Sequence, residues 1–273
     1  MMKKVIRNFS VLISTLSVFV SSPVHASILF DGVNDGMTGT FTSTYADPIT
    51  IGIKVKYTAH PVAVDVMASL GNGDTRDDSY MCRTNATDDQ FGALSRSSGG
   101  GEANANVVKA GLDGVWFSIV CEFPSGDSDR NVFVEDVTDT NGGDEFVGGA
   151  LQFLRAGQSL SEAQEFAGRL AEFAIWDRVL TTQEITDYID DDCTASIGSS
   201  DLIGYWSFNV NNATQPNEGV DAGGDLTAMD SAVFDSDHPV MGSCGSGAVQ
   251  RIMRLFEGFR LTIGSGKLII MQQ

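Results

Sequence analysis

Apolar and polar residues change places at every step along Ile51–Tyr57. Ile51, Ile53, Val55 and Tyr57 hold one parity, while Gly52, Lys54 and Lys56 hold the other. A period of two predicts a β-strand with one face in a core and one in water. Val64, Val66, Ala68 and Leu70 predict the next strand, which runs into the turn sequence Gly71-Asn72-Gly73-Asp74. Further short strands are predicted at Val115–Cys121, Val132–Val134, Phe146–Leu154 and Leu170–Trp176. Between them lie clusters of Gly, Asp, Asn and Ser (Gly71–Asp78, Ser97–Gly101, Ser125–Asn131 and Asp139–Glu145), the residue types that supply turn conformations. Short strands at this spacing, with no internal repeat, predict an all-β sandwich or jelly roll.

Two segments break the period. After Leu180, Thr181 and Glu184 stand at capping-box spacing, and Leu180 and Ile185 occupy the positions of a hydrophobic staple. Ile185, Tyr188 and Ile189 then recur at helical spacing, which predicts one short helix with an apolar face of about two turns. Near the end of the chain, Phe259, Leu261 and Ile263 alternate with Arg260 and Thr262, and Gly264-Ser265-Gly266 leads into the apolar run Lys267–Met271. That is the pattern of a β-hairpin. Ala248–Gln273 carries Arg251, Arg254, Arg260 and Lys267 against Glu257 alone, and the Gly245–Gly247 stretch before it reads as a hinge.

Four motifs, in order, carry a family resemblance. Gly168–Leu180 with the helix that follows, GRLAEFAIWDRVLTTQEI, resembles the closing strand and helix of laminin-G-like and pentraxin-like domains of the concanavalin A-like jelly-roll superfamily. Ile28–Met37, ILFDGVNDGM, is similar to the opening strand and turn, and Gly114–Val120, GVWFSIV, to a central strand. Asp201–Val240 is similar to the last strands of many bacterial and phage members. The resemblance implies a concanavalin A-like jelly roll with one short helix, spanning about Ser27 to Val240. The basic hairpin tail lies beyond it. The domain reading is therefore a signal peptide at 1–26, a laminin-G-like domain at 27–244 and the tail at 245–273. Fold alone does not assign function, because this one hosts lectins, hydrolases, adhesins and structural modules.

The signal peptide is read from Lys3, Lys4 and Arg7, the apolar run Phe9–Val20 and the small residues before Val24-His25-Ala26, with cleavage after Ala26. No later segment is long and apolar enough to span a bilayer. Of the 17 basic and 36 acidic residues, the leader removes three basic ones, leaving 14 against 36 and a net charge of −22. Such a charge repels phosphates, excludes nucleic-acid binding by the main body, and suits a secreted or cell-surface protein. In an exported chain, the four cysteines read as two disulfides. Three connectivities are possible, and Cys82–Cys121 with Cys193–Cys244 is the expected one. Each would close a loop of about 40 to 50 residues, a constraint of roughly 4 kcal/mol. With no CxxC and with His60 and His238 isolated, a metal site on these thiols is the weaker reading.

The acidic turns raise the question of calcium, which takes six to eight oxygen ligands. DVTDTNGGD at Asp136–Asp144 offers Asp139, Asn141 and Gly142 in EF-hand order but places Val137 at the first ligand position. The pentraxin resemblance implies a calcium loop just before the closing strand. Here that loop is Gly157–Glu165, whose Gln158, Glu162, Gln164 and Glu165 are the candidate ligands, without the aspartates of the family pattern. For sugar binding, which stacks rings on aromatic faces, Tyr80 beside Asp74, Asp77 and Asp78 is the candidate site. Tyr45, Tyr57 and Phe91 are secondary, and Trp116, Trp176 and Trp206 are assigned to the core. A jelly-roll glucanase would need alternating carboxylates on one strand, and no such triplet occurs. Glu172 and Asp177 are five apart and predicted to face opposite ways, and Glu135 and Asp139 share a parity only across a turn. The chain is therefore read as an exported, non-enzymatic binding module for glycans or a cell-surface protein, with calcium as a candidate cofactor. The alternative is a structural or assembly protein of a cell surface or virion that self-associates or attaches through its tail. A glycoside hydrolase is the minor reading.

Overall fold

The computed structural model describes residues 26–57, 64–73, 78–85, 89–99, 101–126, 129–141, 150–161, 164–190, 194–209, 211–229 and 232–239, with the backbone of 259–264 and 267–272. In chain order the strands of the first half are β1 (Ser27–Asp31), β2 (Gly36–Tyr45), β3 (Ile49–Lys56), β4 (Val66–Gly71), β5 (Ser79–Thr84), β6 (Gln90–Arg96), β7 (Glu102–Val108) and β8 (Phe117–Phe123). They are followed by β9 (Arg130–Val134), β10 (Val137–Asn141), β11 (Leu151–Ala156), β12 (Ala167–Trp176) and the helix α1 (Thr182–Ile189). The chain closes with β13 (Leu202–Trp206), β14 (Thr214–Gln215), β15 (Leu226–Met229), β16 (Val233–Asp235), β17 (Phe259–Gly264) and β18 (Lys267–Gln272).

Among the described residues, two eight-stranded antiparallel sheets form the sandwich. One is ordered β10-β9-β8-β3-β12-β1-β16 with β13 also on β12, and the other β14-β15-β2-β11-β4-β5-β6-β7. Their inner faces meet in a core that includes Ile51, Ile53, Val55, Leu70, Phe91, Ile119, Phe173 and Trp206, all fully shielded from solvent. The jelly-roll sandwich expected from the period-two runs and the resemblance is present. β17 and β18 pair in register from Phe259↔Gln272 to Gly264↔Lys267, so the hairpin expected in the tail forms, and among the described residues it ladders onto neither sandwich sheet. Residues 1–25, with the leader, lie outside the described residues. No described helix is long and apolar enough to cross a membrane.

The helix forms where its local signals place it. Thr181 is the N-cap, its hydroxyl accepts the Glu184 N–H, and the Glu184 carboxylate accepts the Thr181 N–H at 2.9 Å. This closed capping box contributes about 1 kcal/mol. Arg178 grips the same carboxylate with both terminal nitrogens and reaches Asp201 with Nε at 3.0 Å. The Arg178 hydrogen bonds come first among the causes that hold Glu184 down at about 2.

The helix also overturns one expectation. On the polar-parity face of β3, Gly52 and Lys54 are not wet, because α1 lies across them, and Lys56 is half-buried. Ile185 and Tyr188 pack with Val120, Ala174, Trp176 and Tyr205 into a second apolar cluster outside the sandwich. Gly52 permits that approach, since a Cβ there would stand 2.9 Å from the Tyr188 ring. Lys54 is buried beneath the helix and donates to Ser118 Oγ at 2.8 Å and the Tyr188 carbonyl at 2.9 Å. Below it, β12 bulges: its register against β3 shifts between Ala171 and Ala174, and Glu172 takes φ 49°. The bulge breaks the strict alternation assumed for Glu172 and Asp177. Glu172 ends up buried under α1, while Asp177 lies past the strand and is exposed.

The disulfide Cys82–Cys121 is present, with Cα atoms 6.1 Å apart, and ties β5 in one sheet to β8 in the other. Cys193 and Cys244 lie outside the described residues.

Candidate functional site

The aromatic proposed for sugar stacking is not at the surface. Cys82 must face the core to reach Cys121, and Tyr80, two residues earlier on β5, shares that face. Tyr80 is fully buried and stacks on Phe123 with ring centroids 4.3 Å apart, so it offers no face to a ligand. Tyr57 and Phe91 are likewise buried, and Tyr57 packs on Phe91 and Phe117. Tyr45 is half-buried and donates its hydroxyl to Asp221 at 2.6 Å. Asp78 accepts the Ser98 N–H at 2.8 Å, pinning one turn to the next, while Asp74 and Asp77 lie outside the described residues.

The loop at 157–165 brings two of its four candidate ligands, Gln158 and Glu165, into contact with each other. Gln158 is buried; its Oε1 accepts from Arg155 at 2.9 Å and its Nε2 donates to Glu165 at 3.4 Å. Gln164 has a buried Oε1 with no hydrogen-bond partner, and Glu162 lies outside the described residues. A guanidinium already occupies the Gln158 oxygen, and Gln164 and Glu165 alone fall short of the six to eight ligands calcium takes. Among the described residues, no group of three or more His, Cys, Asp and Glu side chains converges as a metal site. The carboxylates weighed for glycosidase chemistry are also separated by their partners. Glu135 accepts the Ser118 N–H at 2.6 Å, and Asp139 accepts the Asn106 N–H at 3.0 Å.

What the structure does assemble is a groove at one tryptophan. Trp176 and Trp206 are core residues, as expected, but Trp116 is only half-buried. It sits one position before β8 begins, so the sandwich does not cover it. The β7–β8 connection turns at Gly114, whose φ of 69° favours glycine, and is anchored by the Gly114 N–H on the Tyr57 carbonyl at 2.7 Å. That connection supplies Lys109, Leu112, Val115 and Trp116 to one wall, the β9–β10 turn supplies Glu135 and Asp136, and the end of α1 supplies Thr186, Ile189 and Asp190. Together they bound an open groove of about 540 Å³. Val115 is 51% exposed there, beside the indole.

The electrostatics of the groove are acidic. Lys109 is the one cation among these lining residues and is bound to Asp136 at 2.5 Å, which holds the Asp136 carboxyl below its ordinary range. Glu135 and Asp190 add two more carboxylates to the lining. The carbonyl end of α1 points the negative end of its dipole at the same place, with no basic residue in its last turn. The indole is fixed from behind: Trp116 Nε1 donates to Asp237 Oδ1 at 3.0 Å, and Lys56 Nζ holds the other oxygen of that carboxylate at 2.8 Å. Partial burial acts to raise the Asp237 carboxyl, but the Lys56 and Trp116 hydrogen bonds outweigh it and leave the group below its ordinary value. The combination of an aromatic face, an apolar floor and a polar rim is what a small hydrophilic ring compound requires of a pocket.

Comparison with known proteins places this architecture. The chain is similar in structure to a candidate carbohydrate-binding protein from Bacteroides ovatus, with TM-score 0.57 and 10% identity over 80% of this chain and 62% of that one. It is similar also to the heptameric SAP-like pentraxin of Limulus polyphemus, with TM-score 0.51 and 14% identity over 77% of this chain and 94% of that one. The chain thus spans about three fifths of the length of the first of these. No curated protein matches it in sequence. A model of the laminin-G-like branch matches residues 29–186, from β1 into α1. The chain belongs to the concanavalin A-like lectin/glucanase superfamily.

Proposed function

We propose that this chain is an exported glycan-binding module that holds a sugar without acidic groups in the groove at Trp116. The observation that carries the reading is the half-buried indole, fixed by Asp237 and set among Val115, Lys109, Glu135 and Asp190. A pyranose can lay its apolar C–H face on the ring and turn its hydroxyls to the carboxylates. Uronic and sialic acids would meet like charge. The disulfide agrees with an oxidising compartment.

The test is a glycan array carrying neutral, amino-bearing and acidic oligosaccharides, probed with wild type and Trp116→Ala, each with and without EDTA. Wild type is expected to bind neutral or amino-bearing glycans. Trp116→Ala is expected to lose about tenfold in affinity, or ~1.4 kcal/mol, with its melting temperature nearly unchanged. Equal binding by the variant, or preference for acidic glycans, would refute the site. Calcium assistance through 157–165 belongs to the proposal only if EDTA weakens the wild-type signal.

A second reading, assembly at a cell surface or virion, is favoured by the hairpin β17–β18, which pairs with neither sandwich sheet. On that reading a chain ending at Cys244 should keep its melting temperature but change its association state in size-exclusion chromatography. Precipitation of the truncated protein would make the tail part of the fold instead.

A further inference from the structure

We propose that Asp237 is a positioning residue for the groove: it sets the orientation of the Trp116 indole before any sugar arrives. This inference rests on the binding reading above. Trp116 comes just before β8 and Asp237 just after β16, 121 positions apart in sequence. They meet because β16 pairs with β1 at the edge of the sheet, through Ser27↔Asp235 to Leu29↔Val233.

The carboxylate is held on every side that does not face the indole. Its Oδ2 takes the Lys56 ammonium at 2.8 Å and lies 3.7 Å from Arg169 Nε. Its own N–H donates to Asp235 Oδ1 at 2.7 Å, and its carbonyl accepts from Ser27 Oγ at 2.5 Å. Asp235 is in turn held by Arg169 at 3.1 Å. Only Oδ1 is left to meet the indole N–H, and it does so at 3.0 Å. A charged acceptor clamped by two cations from β3 and β12 is a stiff anchor, and hydrogen bonds to ionised groups are the stronger kind. It grips the indole by its nitrogen edge, and Trp116 lines the groove.

The consequence is preorganisation. An indole that can turn must be immobilised when a sugar stacks on it, and that ordering subtracts from affinity. A Trp116 held in advance avoids the loss. Asp237 need not touch the sugar to matter, because its effect passes through one hydrogen bond.

The experiment compares wild type, Asp237→Ala, Asp237→Asn, Trp116→Phe and the Asp237→Ala/Trp116→Phe double variant. Two readouts are used: acrylamide quenching of tryptophan emission, and affinity for the neutral and amino-bearing oligosaccharides of the array. Trp176 and Trp206 are fully buried, so quenching reports Trp116. Asp237→Ala is expected to raise quenching and to weaken sugar binding about threefold, while the chain stays folded. Asp237→Asn, which keeps an oxygen acceptor, should restore most of both. Trp116→Phe keeps a stacking ring but has no N–H, so adding Asp237→Ala to it should change affinity no further. A purely structural role for Asp237 would give the same loss in the Phe background, and that result overturns the proposal. So does Asp237→Ala with wild-type affinity while Trp116→Ala has lost binding, and in that case the site itself stands. If Trp116→Ala binds as well as wild type, the site falls and this proposal falls with it.

Discussion

Replacing both Cys82 and Cys121 by alanine is expected to lower unfolding stability by about 4 kcal/mol in the chain-entropy account of a closed loop. The bridge spans 39 positions and joins β5 to β8 across the sandwich. Without it, the unfolded chain regains the freedom of that whole loop, while the folded state keeps nearly the same apolar contacts. Both sulfurs are fully buried, so two small voids add to the loss. A domain of ordinary stability has about 5–15 kcal/mol in hand, so a change of this size takes much of it. The measurement is a urea melt of the double variant against wild type, with the midpoint falling and the slope retained. A loss below about 1 kcal/mol would show that hydrophobic contact alone locks the two sheets.

Stability of the wild type is expected to fall as pH rises from about 4.5 to 7, and Glu172→Gln should remove most of that fall. Glu172 sits in the β12 bulge, 3% exposed, with its Oε2 accepting the Tyr205 hydroxyl at 2.5 Å and its carbonyl accepting the Tyr188 hydroxyl at 2.7 Å. Burial is the leading cause that lifts its carboxyl to about 7; Tyr205 and Lys54 pull it down, and Glu218 pushes it up. Because the folded state holds the proton more tightly than the unfolded chain, the contribution is complete below pH 4.5. It is lost as pH passes through 7, at a cost on the order of 3 kcal/mol. Glutamine fills the same space and cannot ionise. The variant should therefore match wild type near pH 5 and exceed it near pH 8, apart from what Lys54 gains from an anion beside it. Parallel pH profiles for the two proteins would mean that the Lys54 ammonium keeps Glu172 ionised throughout.

How far each feature could be read in the chain depended on how far apart its determinants lie. The capped helix could be read because Thr181, Glu184 and Arg178 satisfy one another within seven residues. Period two marked β3, β4, β9 and β12, and four motifs in order gave the superfamily. Of the three connectivities the sequence left open, the expected Cys82–Cys121 bridge is the one the fold closes, between β5 and β8.

The site could not be read in this way. Tyr80 and Trp116 are both aromatics beside turns, and nothing local separates them. The parity that Cys82 imposes buries Tyr80, whereas β8 starting at Phe117 leaves Trp116 outside the sandwich. Lys54 alternates like a solvent residue and is buried only because α1 packs across its face; the bulge at Glu172 had no signal in the alternation. The sequence by itself determined the strand-rich sandwich, the capped helix and the acidic charge, because alternation and capping act over a few residues and charge is a sum over them. The groove was decided only by tertiary structure. Its walls come from the β7–β8 connection, the β9–β10 turn and the end of α1, and its indole is anchored from the far end of the chain. Exposure and alignment of that kind belong to no segment until all of them have packed.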